Sequence, residues 1–402
     1  MNIPEELREE WEVLTSGSIE ILPRQEFLER LIESRSTGIP LRIKLGCDPS
    51  SPDLHIGHTI VINKLAQFQR FGHHVVFIIG NFTARIGDPT GKSETRKSLT
   101  AEEASENART YLDQVFLILD RDKTEVVYNG DWFDRMSMND SIRLSSRMTV
   151  ARMMERDDFA KRFASGRPIH IHEFLYPLMQ GHDSVEVHAD LEIGGTDQKF
   201  NLLVGRDLME QSGRRGQCIM TMPLLVGLDG RQKMSKLLGN SIGLTESPED
   251  MFGKTMSIPD SMMRDYHQLV LSHTQTETNM FVNRIASGEL HPRDAKVFIA
   301  RELVTKYHSI EAANSAESNF NRIFRDHKVP EEIDIIEIKS GDSVAQLLLE
   351  FGFVSSKGAA KRLILGGGVS VNGSKITNDM TFSPGDYLLK IGKREFRKVI
   401  AK

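Results

Sequence analysis

Polar and apolar residues alternate along Arg42-Ile43-Lys44-Leu45-Gly46-Cys47, a period that predicts a strand, and Asp48-Pro49-Ser50-Ser51-Pro52-Asp53 is turn chemistry. From Leu54 to Phe71 the period changes: Ile60, Leu65 and Phe68 fall on one helical face, and Gly72 ends the helix. Val75 to Gly80 is a continuous apolar run, the pattern of a strand buried on both faces of a parallel sheet. Strand, helix and strand make a βαβ unit, and its helix starts where open α/β sheets bind ligands, just past a strand's carboxyl end. Further strand-end loops follow at Gly80 to Lys92, at Gly194-Gly195 after Asp190 to Ile193, and at Asp229-Gly230 after Met222 to Gly227. Between about 100 and 180 the pattern is mostly helical, as in Ala101 to Leu119 and Asp140 to Met154. These elements predict one Rossmann-like, doubly wound α/β domain over 1–245, with a helical insertion at about 130–180.

Past Glu246 the pattern becomes helical, opening on the start signal Ser247-Pro248-Glu249-Asp250 and running to about Arg325. This predicts an α-helical domain over 246–328. An acidic stretch of little periodicity, Val329 to Ile338, is closed by Gly341-Asp342 and predicts a linker over 329–342. In the remaining segment, 343–402, two short helices fit Val344 to Glu350 and Lys357 to Leu365. Val369-Ser370-Val371, Asn372-Gly373 and Lys375-Ile376 then spell a hairpin, giving a small α+β domain.

Composition adds bounds. Of 402 residues 39% are apolar and 27% charged, ordinary globular usage, and two cysteines exclude a disulfide framework or a zinc ribbon. The amino terminus has neither a basic n-region nor an apolar h-region, and no apolar run is long enough to span a bilayer, so a cytoplasmic protein with no membrane partner is expected. Net charge is −5, but Ser343 to Lys402 holds ten Lys/Arg against four Asp/Glu, a local +6 on a body of −11. That is equally a polyanion-binding surface or a solvated basic end.

Several residue groups carry chemistry. His55-Ile56-Gly57-His58 puts two imidazoles on one face of a helix's first turn, where unpaired N–H groups and the dipole suit phosphate; two surface histidines are the plainer reading. Lys233-Met234-Ser235-Lys236, among Gly227, Gly230 and Gly239, is suited to clamping a leaving pyrophosphate from a mobile loop, or is simply an exposed basic loop. Gly87-Asp88-Pro89-Thr90-Gly91-Lys92-Ser93 imitates a P-loop but has three residues between its glycines where four are needed, so Asp88 is better used against an amino group. Tyr176, Gln180 and Asp183 share a helix face, either a solvated stripe or a set of partners for a phenol or amine. Gly194-Gly195-Thr196-Asp197-Gln198 can bring backbone against a ribose, with Asp197 on its hydroxyls, and Thr196 or Asp197 can equally cap a helix. No His, Cys or carboxylate cluster has metal-ligand spacing.

With these residues in hand, the whole chain resembles the bacterial-type tyrosyl-tRNA synthetases, a family of class I aminoacyl-tRNA synthetases. His55-Ile56-Gly57-His58 matches the class signature. Lys233-Met234-Ser235-Lys236-Leu237 matches the second signature in four of five positions, Leu237 replacing a Ser. The resemblance implies that tyrosine and ATP form tyrosyl-adenylate and that the tyrosyl group then passes to the terminal ribose of tRNA(Tyr), with Mg²⁺ accompanying ATP. It implies ATP binding by Asp48, Ser50, His55, Gly57, His58, Gly195, Asp197, Lys233, Met234, Ser235 and Lys236, with the histidines and lysines catalytic. Tyrosine is held by Gly46, Asp88, Tyr176, Gln180, Asp183 and Gln198, Asp183 taking the phenol. Lys44 stands where many bacterial members carry a second Tyr. The last segment resembles the RNA-binding module of ribosomal protein S4, implying RNA contacts at Lys357, Lys361, Arg362 and Lys375, and a homodimer is implied through the helices after about Asp131. A tryptophanyl-tRNA synthetase and a non-catalytic RNA-binding protein on a synthetase scaffold are the alternatives.

Overall fold

The computed structural model describes residues 2–50, 52–88, 100–324, 335–392 and 395–402. Chain contacts group Met1–Ala313 and Asn314–Lys402 into two compact units. The first is built on six strands: β1 (Glu20–Leu22), β2 (Arg42–Cys47), β3 (His74–Ile79), β4 (Thr124–Tyr128), β5 (Leu191–Gly195) and β6 (Cys218–Met222). Their order across the sheet is β1-β6-β5-β2-β3-β4, parallel except for β1. Winding runs outward from β2 to β3 and β4, then restarts from β5 to β6 on the other side. The switch point therefore lies between β2 and β5, where open sheets of this kind leave a crevice at the strands' carboxyl ends. These two strands pair only at Ile43↔Leu191 and Lys44↔Glu192, so beyond that rung the crevice opens.

Burial explains the sequence pattern. Val75 to Ile79 are fully buried, as a continuous apolar strand covered on both faces must be. The helix Ile56–Arg70 buries Ile56, Ile60, Leu65 and Phe68 at helical spacing. The stretch expected as one helix over Asp140 to Met154 is instead two, Met138–Ser145 and Val150–Met153, because the Thr149 hydroxyl accepts from the Arg152 N–H and starts a new helix. The short strands β1 and β4 escaped the sequence reading, and the strand expected over Met222 to Gly227 lies earlier, at Cys218–Met222, ending before Pro223, which has no N–H to donate. After β6 the chain is helical as expected, and the Ser247 side chain caps Pro248–Met256.

The second unit carries a five-stranded sheet, β7 (Ile335–Ile338), β8 (Val369–Val371), β9 (Ser374–Ile376), β10 (Gly385–Ile391) and β11 (Glu395–Ala401), in the order β7-β11-β10-β8-β9. Two helices, Val344–Glu350 and Lys357–Leu365, pack on it as their spacing predicts. Asn372 and Gly373 turn the hairpin with φ of 50° and 82°, the positive values a two-residue turn requires. The end of the expected linker is a correction: Ile335–Ile338 pairs in parallel with β11. Four residues paired to a neighbouring strand need no long apolar period, and Ile336 alone is buried there. Residues 329–334 of that connector lie outside the described residues.

Candidate active site

The crevice is lined from three strand ends. Asp48 follows β2, Thr83 follows β3, and Asp197 follows β5. The Asp48 carboxylate accepts from the Thr83 hydroxyl at 2.7 Å and from the Tyr176 phenol at 2.9 Å, tying β2, the loop after β3 and the helix Leu175–Glu186 into one floor. Gly80 is required there, because a Cβ on it would stand 2.1 Å from Asp48 Oδ1. Burial and the nearby carboxylates hold the Tyr176 phenol well above its usual pKa. Its proton is committed to Asp48, which leaves the phenol oxygen as an acceptor facing the crevice groups. Gly46 has open space where a Cβ would be, so the end of β2 allows close approach. The Ser50 N–H donates to the Asp48 carbonyl at 2.7 Å and closes the turn.

Asp88, Gln198, Asn201 and Gln180 form a continuous chain. Gln198 Nε2 donates to Asp88 Oδ2 at 2.9 Å, Asn201 Nδ2 donates to Gln198 Oε1 at 2.9 Å and to Gln180 Oε1 at 2.8 Å, and Arg156 Nη2 lies 3.5 Å from Asp88 Oδ1. Asp88 and Gln180, two of the expected amino-binding trio, are thus linked through Gln198 and Asn201, the latter a residue that sequence reasoning missed, while the third, Tyr176, is tied to Asp48 instead. The rest of the imitation P-loop, 89–93, lies outside the described residues.

One and two helical turns away, Asp183 is buried and has found protein donors. Trp132 Nε1 donates to its Oδ1 at 3.0 Å and Asn129 Nδ2 to its Oδ2 at 3.4 Å. Burial pushes its pKa up to about 7, against the opposing pull of Lys44, Trp132 and Asn129. A carboxyl desolvated this strongly gains from any further donor. Neither Trp132 nor Asn129 carried a signal in the sequence, both lying more than fifty residues from their acceptor.

At the other end, the His55 and His58 rings lie with centroids 3.9 Å apart, tilted by 35° to one another. Each Nδ1 accepts a backbone N–H: His55 Nδ1 from Gly57 at 3.2 Å and His58 Nδ1 from His55 at 3.2 Å. Burial, with smaller contributions from nearby positive charge, lowers their pKa values to about 4 and about 3, so both rings are neutral at pH 7. An imidazole that accepts at Nδ1 and is neutral carries its proton on Nε2, so each ring offers one Nε2–H donor. This corrects the expectation of bare N–H groups at the helix start. The Ile56 N–H goes to the Ile242 carbonyl at 2.9 Å, Gly57's to His55 Nδ1 and His58's to the His55 carbonyl at 2.8 Å. The first turn is capped by its own imidazoles, which replace the amides as donors. Gly57 permits this, since a Cβ would stand 2.9 Å from His55 Nδ1.

The lysine loop is anchored against this turn. Met234 is buried and its N–H donates to the Leu225 carbonyl at 2.8 Å, while Asn240 Oδ1 accepts from the Ser235 N–H at 2.8 Å. The ammonium groups reach outward. Lys233 Nζ lies 2.8 Å from Asp197 Oδ2 and Lys236 Nζ 2.6 Å from Asp53 Oδ2. Both pairs are largely exposed, and exposed pairs contribute only about 0–1 kcal/mol, so an incoming polyphosphate displaces them at small cost. Leu237 is exposed at the loop tip. Gly195 brings the Asp197 carboxylate close, since a Cβ on it would meet Oδ1 at 2.5 Å. Beside Asp197 an open depression of about 710 Å³ is walled by charges of both signs, Arg152, Arg156 and Lys161 with Glu155, Asp157 and Asp158. In the second unit Lys357, Lys361, Arg362 and Lys375 are all exposed, and the Lys375 stem passes Gly367 just beyond the basic helix.

Comparison with known proteins identifies the family. The family described as tRNA synthetases class I (W and Y) matches residues 36–325, and the S4 domain matches residues 344–387. The chain is 52% identical to the tyrosine–tRNA ligase of Carboxydothermus hydrogenoformans, with 98% of each chain covered. It is 47% identical to that of Desulfotalea psychrophila over the full length of both. Among solved structures, tyrosyl-tRNA synthetase from Archaeoglobus fulgidus complexed with L-tyrosine shares the fold, at a TM-score of 0.62, 24% identity and coverage of 77% of this chain and 99% of that one. The chain therefore belongs to the class I tRNA synthetases of the W and Y family and carries an S4 domain after the catalytic fold.

Proposed function

We infer that this protein is a tyrosine–tRNA ligase: it joins L-tyrosine to ATP as tyrosyl-adenylate, releasing pyrophosphate, and then esterifies tRNA(Tyr). The observation that carries the amino-acid choice is Asp183, a buried carboxyl with one ordinary and one long donor and a pKa near 7, which a phenol hydroxyl completes. Relatives near 50% identity across the chain bear the same activity in their names.

In the proposed arrangement the phenol donates to Asp183, and the ammonium meets the Tyr176 oxygen, Gln180 Oε1 and Asp88. The carboxylate is thereby aimed at the α-phosphorus of ATP. It attacks in line, forming the acyl–phosphate bond as the bond to pyrophosphate breaks. No side chain forms a covalent intermediate, so catalysis comes from positioning and charge stabilisation. The two Nε2–H groups of His55 and His58 donate to phosphoryl oxygens. Lys233 and Lys236 leave Asp197 and Asp53 for the pyrophosphate, freeing Asp197 for the ribose hydroxyls. Met234, Ser235, Gly57 and Gly195 shape the backbone around ATP, Asp48 and Ser50 hold the turn below it, and Gln198 orients Asp88. Mg²⁺ enters with ATP as part of the substrate. In the second step a ribose hydroxyl of the tRNA 3′ end attacks the acyl carbon and AMP leaves. The exposed lysines and arginine of the second unit suit the tRNA body, and we place the enzyme in the cytoplasm.

A homodimer is the assembly we propose. Met138, Ile142, Val150, Phe163 and Ile171 are exposed apolar side chains concentrated in the helical insertion, Ile171 at 83% exposure. Such a concentration marks a surface meant to be covered. The test of function is charging of tRNA(Tyr) with labelled L-tyrosine: esterification that requires ATP supports the reading, and no esterification with active tRNA overturns it.

A further inference from the structure

At the floor of the crevice, on the last paired rung of β2 and β5, stands an ion pair that the reaction itself does not need. Lys44 and Glu192 are 0% and 1% exposed, with Nζ 2.9 Å from Oε1. Every polar site of both groups is used. Lys44 also donates to the Gln180 carbonyl at 2.8 Å and to Ser184 Oγ at 2.7 Å. Glu192 Oε1 accepts from Gln180 Nε2 at 3.2 Å, and its Oε2 accepts from Ser184 Oγ at 3.1 Å and Gln217 Nε2 at 2.5 Å.

The consequence concerns the Gln180 amide. A carboxylate only accepts, and this one is surrounded by four donors, Lys44, Gln180, Ser184 and Gln217. It can face only the NH₂ end of Gln180. The other end, Oε1, is turned towards Asn201, which supplies one donor at 2.8 Å and leaves a second lone pair. A flipped amide would set oxygen against carboxylate and point two N–H groups at a ligand ammonium. We propose that Glu192, fixed by Lys44, is a positioning residue that locks the Gln180 amide with its oxygen towards the substrate and so sets the recognition of the α-ammonium group. The pair thereby determines the amino end of the substrate from beneath, without touching it. This inference rests on the reading of Gln180 as an ammonium partner.

Tyramine and 4-ethylphenol differ only in the ammonium group, and both compete with tyrosine for the phenol site. Their inhibition constants in tyrosine-dependent ATP–pyrophosphate exchange give the test, with Glu192→Gln, the charge-free pair Lys44→Met plus Glu192→Gln, and Gln180→Ala. Glutamine at 192 can offer its own NH₂ to Gln180, which frees the amide to turn. In both Glu192 variants the tyramine constant is expected to rise about tenfold or more relative to that of 4-ethylphenol, the effect of losing a hydrogen bond to a charged group; both ligands carry the same phenol, so the ratio cancels any change that losing Lys44 causes at Asp183. The double variant leaves no buried unpaired charge, so it reports on the amide even where the single variant folds poorly. Equal weakening of both ligands would make the pair a mere support of the pocket and overturn the proposal, as would no change in either. Weakened tyramine in Gln180→Ala but not in the Glu192 variants overturns this inference alone. Unchanged tyramine in Gln180→Ala overturns the ammonium reading and this inference with it.

Discussion

Tyrosine affinity should depend on pH through Asp183. Burial raises this carboxyl to about 7, and the bound phenol, donating to it, favours the ionised form. Binding to the protonated protein must therefore first expel a proton. With a pKa near 7, about nine-tenths of the sites are ionised at pH 8 and about one-tenth at pH 6. The tyrosine KM at saturating ATP should consequently rise about tenfold from pH 8 to pH 6, or ~1.4 kcal/mol of apparent affinity. The phosphate end adds no slope, because His55 and His58, at about 4 and about 3, stay neutral throughout. Lys64, lowered to about 7 by burial, does titrate in this range, but its ammonium is bound to the Val13 and Ser16 carbonyls, outside the crevice. Asp183→Asn separates the sources: its KM should be raised and flat across the same range. The assay is tyrosine-dependent pyrophosphate exchange at pH 6, 7 and 8. A wild-type KM constant within twofold, or a slope that survives in Asp183→Asn, would refute the reasoning.

Other expectations follow from single contacts. Replacing His58 with Ala removes one Nε2–H donor and the cap on the His55 N–H; kcat for exchange should fall about a hundredfold while the tyrosine KM stays near wild type. Gly80→Ala forces a Cβ to 2.1 Å from Asp48 Oδ1 and 2.4 Å from Thr83 Oγ1, and should lower stability by about 2–3 kcal/mol in a denaturant melt by disrupting the hydrogen bonds to the half-buried Asp48 carboxylate. Deleting Ser343 to Lys402 should leave pyrophosphate exchange intact and cripple tRNA charging. Introducing Asp at Met138 and Ile142 together should shift the sedimentation coefficient from dimer to monomer.

What was legible in the sequence is what repeats with a local period or sits within one short segment. The strand, helix and strand from Arg42 to Ile79, the hairpin at Asn372-Gly373 and the helix face of Tyr176, Gln180 and Asp183 all follow from spacing within about forty residues. The partners of those residues did not. Trp132 and Asn129 reach Asp183 across more than fifty positions, Lys44 and Glu192 meet across the sheet's switch point, and Asn201 joins two glutamines on different elements. Such contacts are created by the winding of the sheet and leave no trace in a period. The capped first turn at His55 is a subtler case. The sequence singles out its residues, but the imidazoles take the place of the backbone donors expected there.

The central claim is that this crevice selects tyrosine and activates it with ATP. ATP–pyrophosphate exchange, run with each of the twenty amino acids in turn, tests it most directly. Exchange is expected with tyrosine, and none above background with phenylalanine or tryptophan. Exchange that is strongest with tryptophan, or absent with every amino acid, would contradict it.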